Sequence, residues 1–406
     1  MKKIIIFSYF FPPFNNMASR RWAQMIPEIN KFYEVYVCTN NSTGDLPVPL
    51  NENRILRLNK IENYNFTRKR YNRHNLFHLL ISFFTKKMRS IDSTILSWYW
   101  KNRKRITNYV QNLNPDIIIT TTGPVSTALI GKMLKTRRPD IFWILDVRDI
   151  LGPFDRNGKN WVQHLFDKCF EKYAIGKPDL IFTAGKYYSQ LLSNFYKRKV
   201  HILYNGFPGK VKILNSSPSC HKQIYYAGKL YDHQIESFKL LVNTLKKTDW
   251  KIKLRLVGDK VQVNKIRQLL NSSNPDKFDL NPPDSSLKIH EEQMNSDILV
   301  VFEDLETNSK ATKGTLTGKL FELLVTDIPI LAICRKDSEI SELLSKTERG
   351  KVVDSENGIL DFINNCNQYK GNDIKKLEEY SRKNQAYVFM KILKGYLNEK
   401  DNKILS

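Results

Sequence analysis

The sequence has few cysteines and no long apolar run, and both shortages narrow what the protein can be. Five of its 406 residues are cysteine, they are far apart, and no two form a Cys-x-x-Cys pair. A disulfide scaffold and a cysteine zinc site are therefore disfavoured, and reduced thiols in a cytoplasmic setting are expected. The longest apolar stretch, 76–84, is interrupted by His78 and Ser82. It is well short of the roughly 20 residues that cross a bilayer.

The start of the sequence also lacks a complete export signal. Lys2 and Lys3 precede a short apolar run at 4–7, but Pro12 and Pro13 follow too soon for the usual apolar segment and cleavage site. The run is better explained as a first β-strand. We expect a protein that is soluble or peripheral to a membrane.

Signatures of several common enzyme classes are missing. No Gly-x-Gly-x-x-Gly follows either first strand and no P-loop motif occurs, so dinucleotide oxidoreductases and P-loop ATPases lose their main support. His-Glu-x-x-His and Gly-x-Ser-x-Gly are absent, which disfavours the commonest zinc proteases and hydrolases. The absence of Asp-x-Asp disfavours a metal-dependent sugar transferase of the single-domain type. The histidines show no metal-ligand spacing beyond His74 and His78, and we expect no metal site.

Positive charge, in contrast, is abundant. The chain has 65 Lys and Arg against 41 Asp and Glu, a formal net charge of +24, while 41% of its residues are apolar and 12% aromatic. The apolar content is enough for buried cores. The charge indicates an anionic partner, which could be a nucleic acid, an anionic membrane surface or a phosphorylated substrate.

Short runs rich in Ile and Val alternate with amphipathic stretches in two blocks of the chain. The first block has such runs at 4–7, 35–38, 55–58, 117–120, 141–145 and 180–182, and the second at 224–227, 254–257, 298–302 and 330–333. This alternation is typical of buried parallel strands with crossover helices. The sequence therefore predicts two doubly wound α/β domains, 1–207 and 208–380, with ligands in a crevice at the carboxyl ends of the strands. Residues 385–397 are predicted to be helical, within a final segment 381–406 that could cross back to the first domain.

The segment 312–324 is the best candidate site. A loop rich in Gly and Thr leads into an apolar helix, and such a helix start favours an anionic phosphate. Lys319 adds a positive charge suited to a diphosphate. Glu322 lies one helical turn further, where a carboxylate can accept hydrogen bonds from both ribose hydroxyls. The alternative is an ordinary capped helix with solvated Lys and Glu side chains.

Further segments, spread over most of the chain, form a consistent set with this one. In the first half they are Tyr9-Phe10-Phe11-Pro12-Pro13, Ala18-Ser19-Arg20-Arg21, Thr122-Gly123-Pro124, Asp146-Val147-Arg148-Asp149 and Ile202-Leu203-Tyr204-Asn205-Gly206-Phe207. In the second half they are Ile224 to Gly228 with Lys229-Leu230-Tyr231, Gly314 to Glu322, and Ile328-Pro329-Ile330-Leu331. In this order they resemble glycosyltransferase family four.

The resemblance implies the GT-B fold, two Rossmann-like domains facing a central cleft, with the acceptor mainly on the first domain and the nucleotide sugar mainly on the second. It implies sugar transfer with retention of anomeric configuration and no metal. The donor side would comprise Gly228, Lys229, Thr315, Thr317, Gly318, Lys319 and Glu322. The acceptor side would comprise Asp146, Arg148 and Asp149, whose alternative role is a loop salt bridge.

The chain departs from the family pattern at two donor positions. Family members often carry two glutamates seven residues apart, and Glu322 matches the second while Thr315 occupies the first position. Relatives often have Arg six residues after the glycine that corresponds to Gly228, and here Gln234 stands there. Neutralising a diphosphate would then rest on Lys229 and Lys319.

The segment 65–105 combines charge with aromatic side chains. It holds eleven Lys and Arg against one Asp, interleaved with Phe77, Phe83, Phe84, Trp98, Tyr99 and Trp100. Basic residues flanking an apolar face are typical of interfacial membrane helices. We expect docking on anionic lipid that brings the site to a lipid-linked acceptor, on the inner face of the cell membrane. The alternative is a helix packed on its own domain with a solvated basic face.

Two other functions fit the same architecture. A sugar-nucleotide epimerase would share the donor site but need an acid/base constellation, and a non-catalytic GT-B-like subunit would keep the fold without turnover. Nucleic-acid binding is not expected, because no recognition motif accompanies the basic and aromatic residues. A transferase in cell-surface polysaccharide or lipid-linked oligosaccharide synthesis is the preferred reading.

Overall fold

A computed structural model gives the architecture of the chain. It describes residues 1–59, 93–122, 126–148, 161–209, 222–271, 277–305, 310–370 and 373–405. The chain divides into two compact units, one made of Met1–Tyr204 with Arg382–Ser406 and one made of Asn205–Ser381. The division thus follows Tyr204 rather than residue 207, and the C-terminal segment belongs to the first unit.

The first unit is built on a seven-stranded parallel sheet in the order β3-β2-β1-β4-β5-β6-β7. Its strands are β1 Lys3–Phe7, β2 Glu34–Asn40, β3 Ile55–Leu58, β4 Ile117–Thr122, β5 Phe142–Val147, β6 Leu180–Thr183 and β7 His201–Ile202. Every residue of β4, β5 and β6 is buried. Strands buried along their whole length are typical of parallel sheets that helices cover on both faces.

Helices cover the two faces of this sheet with separate cores. They are α1 Met17–Ala23, α2 Ile26–Ile29, α3 Ser93–Leu113, α4 Ser126–Arg137, α5 Trp161–Ile175, α6 Lys186–Tyr196 and α15 Arg382–Leu405. One core takes apolar residues from α3 to α6, and the other takes them from α1, α2 and α15. On the second face Phe389 of α15 is fully buried, with its ring 5.3 Å from that of Trp22. The last helix is therefore part of the first unit's core.

The second unit has a six-stranded parallel sheet in the order β10-β9-β8-β11-β12-β13. Its strands are β8 Gln223–Gly228, β9 Lys251–Leu256, β10 Phe278–Asn281, β11 Ile298–Phe302, β12 Ile330–Ile333 and β13 Gly350–Val353. Its helices are α7 Ile235–Leu245, α8 Lys260–Asn271, α9 Ser286–Met294, α10 Lys310–Lys313, α11 Gly318–Leu323, α12 Glu339–Thr347, α13 Glu356–Asn364 and α14 Ile374–Glu378. The prediction of two parallel-sheet α/β domains is confirmed.

Sequence patterns missed three strands, and all three lie at sheet edges. These are β7, β10 and β13. An edge strand has one neighbour instead of two, so it needs less apolar sequence, and β10 reads Phe-Asp-Leu-Asn. These three strands show a weak hydrophobic pattern because they lie at the edges of their sheets.

None of the helices in the described part of the chain combines enough residues with enough apolar character to span a membrane.

Candidate functional site

The second unit has a natural binding position where β8 lies beside β11. Strand order reverses direction between these two neighbours, and doubly wound sheets bind ligands outside the carboxyl ends of the strands at such a point. Gly228 ends β8, and Glu303 directly follows β11. Of the residues predicted to hold the donor, Gly228 lies at this point.

Lys319 from α11 extends to the same point. Its Nζ lies 4.3 Å from the centroid of the Tyr226 ring, a cation–π contact. A Cβ atom added to Gly228 would collide with this Nζ, and Gly228 has a φ of +143°, which disfavours any residue with a side chain. Gly228 therefore leaves the space that the Lys319 ammonium occupies.

The environment of Lys319 favours its neutral form and so lowers its pKa. Burial lowers the pKa of Lys319 from 10.5 to about 8, and the carboxylates of Glu322 and Glu303 oppose this shift. The ammonium is thus poorly hydrated and partly compensated before any ligand arrives. A phosphate group would supply the charge partner that water does not.

Glu303 is the centre of a hydrogen-bonded group at the end of β11. Nε2 of Gln234 donates to Oε1 of Glu303 at 3.2 Å, and Nε2 of His233 lies 3.5 Å from Oε2. The hydroxyl of Ser237 donates to the carbonyl oxygen of Glu303. Gln234 is itself 5% exposed, and its Oε1 accepts the backbone N–H of Tyr231 at 3.1 Å. Gln234 is therefore committed to internal contacts.

Sequence reasoning did not identify Glu303 or His233 as site residues. The available signal was the acidic pair Glu303-Asp304 directly after a predicted strand, where side chains of a parallel sheet meet ligands. The sequence itself does not indicate that Glu303 or His233 lies near Lys319.

Lys229 lies on the exposed side of this group. The hydroxyl of Tyr226 donates to the Lys229 carbonyl oxygen at 2.8 Å, which holds the backbone after β8 in place. Nζ of Lys229 is 5.1 Å from the centroid of the Tyr231 ring, and that ring stacks on His233. A second cation and a flat aromatic surface thus adjoin Gly228.

The segment 312–324 contains a loop that leads into a short helix. The loop separates α10 from the six-residue α11, and Thr317 caps α11 by accepting the N–H of Leu320 at 3.4 Å. Thr315 and Glu322 are half-buried, and Gly318 is buried. So short a helix has a small macrodipole, which leaves more of any phosphate binding to Lys319 and Lys229.

In the first unit, Asp146 lies in β5 and is completely buried. Nε and Nη2 of Arg21 donate to its two carboxylate oxygens at 2.9 and 2.8 Å, and the indole N–H of Trp22 donates at 2.8 Å. Arg21 is 1% exposed. Both carboxylate oxygens are thus engaged inside the unit, and the Asp146 side chain is not exposed to solvent.

The remaining predicted site residues fall elsewhere. Arg148 directly follows β5 and is half-buried, whereas Asp149 lies outside the described residues. Most of the segment 65–105 also lies outside them, and its described part, 93–105, begins α3. There Trp98 and Tyr99 are buried, while Trp100 is 53% exposed with the Arg103 guanidinium 4.9 Å from its ring.

Among the residues that the structure describes, no cluster of three or more His, Cys, Asp or Glu side chains could hold a metal ion.

The chain resembles known proteins in structure but not detectably in sequence. No protein-family model matches the sequence. No curated protein matches it significantly either. Solved structures, however, match over nearly the whole chain.

Three of these structures differ in the kind of protein and in their TM-scores. A sucrose-phosphate synthase from Thermosynechococcus elongatus is 12% identical with a TM-score of 0.67, covering 98% of this chain and 100% of that one. Anabaena HepE, solved with UDP and glucose, is 12% identical with a TM-score of 0.61, covering 97% and 100%. A Listeria monocytogenes protein described as a UDP-N-acetylglucosamine 2-epimerase is 12% identical with a TM-score of 0.52, covering 98% and 97%.

These likenesses agree with the two parallel sheets and their strand orders. At such low identity they establish architecture alone. The chain therefore has the GT-B fold, with two Rossmann-like units.

Proposed function

We propose that the protein is a glycosyltransferase that moves a sugar from a nucleoside-diphosphate donor to a hydroxyl acceptor. The observation that carries the proposal is the Lys319 ammonium, poorly hydrated and held against Gly228 at the carboxyl end of β8. Similar folds offer support, because HepE was solved with UDP and a trehalose-6-phosphate protein from E. coli with UDP-2-fluoro glucose.

The donor would be held entirely by residues of the second unit. Lys319 and Lys229 would neutralise the diphosphate, and Glu322 would accept the ribose hydroxyls. Thr315, Thr317 and Gly318 would line the phosphate side through hydroxyl and backbone groups. Gln234 stands where relatives often have an arginine and carries no charge, so Lys319 and Lys229 would supply the positive charge at this site.

Transfer breaks the bond between the anomeric carbon and the diphosphate oxygen and forms a bond to the acceptor oxygen. Negative charge develops on the leaving diphosphate, so fixed cations there lower the barrier. We propose that the departing phosphate takes the acceptor proton, that configuration is retained, and that no metal is required. Arg148 and Asp149 would orient the acceptor, with Asp146 and Arg21 supporting them from the core.

The test begins with a thermal-shift screen of nucleotide sugars, since a ligand selective for the native state raises its stability. Lys319→Ala and Glu322→Ala are then assayed for release of nucleoside diphosphate. We expect Lys319→Ala to reduce turnover by about 100-fold or more, in the range of a lost transition-state donor. Lys260→Ala, at an exposed position on the same unit, is the matched control. Near-normal activity in both site variants would remove this assignment.

A sugar-nucleotide epimerase is the second candidate. The observation in its favour is the contact between His233 and Glu303 at the same site, because such a pair can transfer protons. The Listeria monocytogenes likeness supports it as well. Nucleoside diphosphate released only when acceptor is present would indicate a transferase, whereas a changed sugar without release would indicate an epimerase. Donor binding without either reaction would indicate a non-catalytic subunit.

We further propose a cytoplasmic protein, peripheral to the membrane, that acts on a saccharide or lipid-linked acceptor in cell-surface polysaccharide synthesis. The support is the net charge of +24 and the basic, aromatic segment 65–105. Co-sedimentation with vesicles should require anionic lipid and weaken as salt rises. Binding that ignores both lipid charge and salt would contradict docking through this segment.

A further inference from the structure

A second surface of the first unit, outside the segment 65–105, combines exposed apolar groups with cations. On α5, Trp161 is 76% exposed and Leu165 is 53% exposed. Lys168, Cys169 and Lys172 follow, and all three are exposed. Spacings of four, seven, eight and eleven residues from Trp161 place this set on one side of the helix. Large apolar residues that adjoin on one exposed face usually mark a contact surface.

A pocket of about 210 Å³ lies at the carboxyl end of this helix. Ile175, Ile181 and Phe195 form apolar walls, and Lys172, Lys197 and Arg198 supply three cations. Nζ of Lys172 is 5.2 Å from the centroid of the Phe195 ring. The pocket is thus an apolar recess with a cationic lining.

The charge of the pocket is not cancelled by its own lining, because none of the residues that line it is acidic. Glu171, which precedes Lys172 in α5, is 1% exposed, and its carboxylate accepts the Tyr196 hydroxyl at 2.6 Å. Beside it, Nζ of Lys132 lies 3.1 Å from the Tyr173 ring centroid, which adds another cation and an aromatic ring that is 63% exposed. An anionic group is the chemistry that this pocket accepts.

The exposed side of α5 carries both kinds of group that a lipid surface binds. Indole and leucine side chains enter the region between headgroups and acyl chains, and lysines remain at the level of the phosphates. We infer that α5 lies on an anionic phospholipid surface, with one lipid phosphate bound in the pocket of Lys172, Lys197 and Arg198. This contact is independent of sugar transfer and of the segment 65–105.

The experiment uses the full-length protein and flotation with vesicles of phosphatidylcholine, with or without phosphatidylglycerol. The pocket variant is Lys172→Ser/Lys197→Ser/Arg198→Ser, and the face variant is Trp161→Ser/Leu165→Ser. The matched control, Lys246→Ser/Lys251→Ser/Lys260→Ser, removes the same charge from exposed positions of the second unit. Thermal melts verify that each variant is folded.

The wild type is expected to bind vesicles with phosphatidylglycerol and not those of phosphatidylcholine alone. The pocket variant should lose about tenfold or more in affinity, because each cation at an anionic surface contributes roughly fivefold. The control should remain within about twofold of the wild type, because its three lysines lie outside the proposed contact. The face variant should lose binding at high salt as well as at low salt.

Three outcomes would overturn the inference. Equal losses in the pocket variant and the control would show a general charge effect. Equal binding to both vesicle types would exclude a preference for anionic lipid, because phosphatidylcholine carries a phosphate but no net charge. A thermal shift with inorganic phosphate but no vesicle binding would identify a site for a soluble anion instead.

Discussion

Single side chains at the end of β8 control whether the candidate site can hold an anion. Burial opposes the ammonium form of Lys319 and lowers its pKa to about 8, so the side chain is mostly charged only when the pH is below this value. Its Nζ occupies space that exists because residue 228 is glycine. Gln234, which stands where relatives often have a cation, is bonded to Glu303 and Tyr231. The site therefore depends on one buried lysine more than the family pattern suggests.

Ligand affinity should consequently fall as pH rises through about 8. Below that pH Lys319 carries its charge and attracts a diphosphate, and above it the neutral amine does not. Titration calorimetry with UDP between pH 7 and 9.5 should show a loss approaching tenfold per pH unit. Lys319→Met should abolish this dependence, and Lys229→Met should retain it. A flat pH profile in the wild type would show that Lys319 does not contact the diphosphate.

The same lysine should reduce the stability of the unliganded protein. Its pKa is about 8 when folded and 10.5 in the reference state, so the unfolded chain binds more protons between these values and stability rises with pH there. At pH 7 the cost of burying the ammonium is fully present. Lys319→Met should therefore increase the free energy of unfolding, by up to about 3 kcal/mol, in urea titrations at pH 7. A less stable variant would contradict the cause assigned to the low pKa.

Asp146 provides a separate test at the residue scale. Its carboxylate pairs with Arg21, and both side chains are inaccessible to water. Arg21→Met leaves an uncompensated buried charge and should cost about 3–5 kcal/mol in urea unfolding. The double variant Arg21→Met/Asp146→Leu should recover much of that loss, because it leaves neither charge behind. If Asp146 instead served an acceptor directly, Asp146→Asn would unfold like the wild type and lose only turnover.

At the scale of secondary-structure elements, the final helix contributes to the core of the first unit. Apolar residues of α15, including Ala386, Phe389 and Leu393, complete the core on one face of the seven-stranded sheet. The Phe389 ring lies 5.6 Å from that of Phe182 in β6. An element from the end of the sequence thus closes a core that begins near its start.

Removing that contact should destabilise the first unit. Phe389→Ala deletes a fully buried ring and should cost about 3–5 kcal/mol of unfolding free energy. Lys391→Ala, at an exposed position on the same helix, is the control and should change stability by less than about 0.5 kcal/mol. Intrinsic tryptophan fluorescence can follow the change, because Trp22 contacts Phe389. Equal stability of the two variants would exclude α15 from the core.

At the scale of the whole molecule, the two α/β units were predictable because their central strands carry local information. A strand buried on both faces is rich in apolar residues, as β11 is along its whole length and β4 is in its first half, and that pattern is visible in a short window of sequence. The edge strands β7, β10 and β13 were missed because fewer neighbours cover them. Lys319 and Glu322 were proposed from the pattern of the segment 312–324, and Gly228 and Lys229 from the family resemblance; all four remain to be tested by substitution.

The sequence by itself determined the class of fold, the number of α/β blocks and the two stretches of chain that supply Gly228 and Lys319. Only the tertiary structure decided that the Lys319 ammonium rests against Gly228, that Glu303 binds Gln234, and that Arg21 neutralises Asp146 across 125 residues. The physical reason is that hydrophobic periodicity is local, whereas crossover connections of parallel sheets bring together residues that are distant in sequence. Burial then sets the charge of those residues, because it depends on every element packed around them.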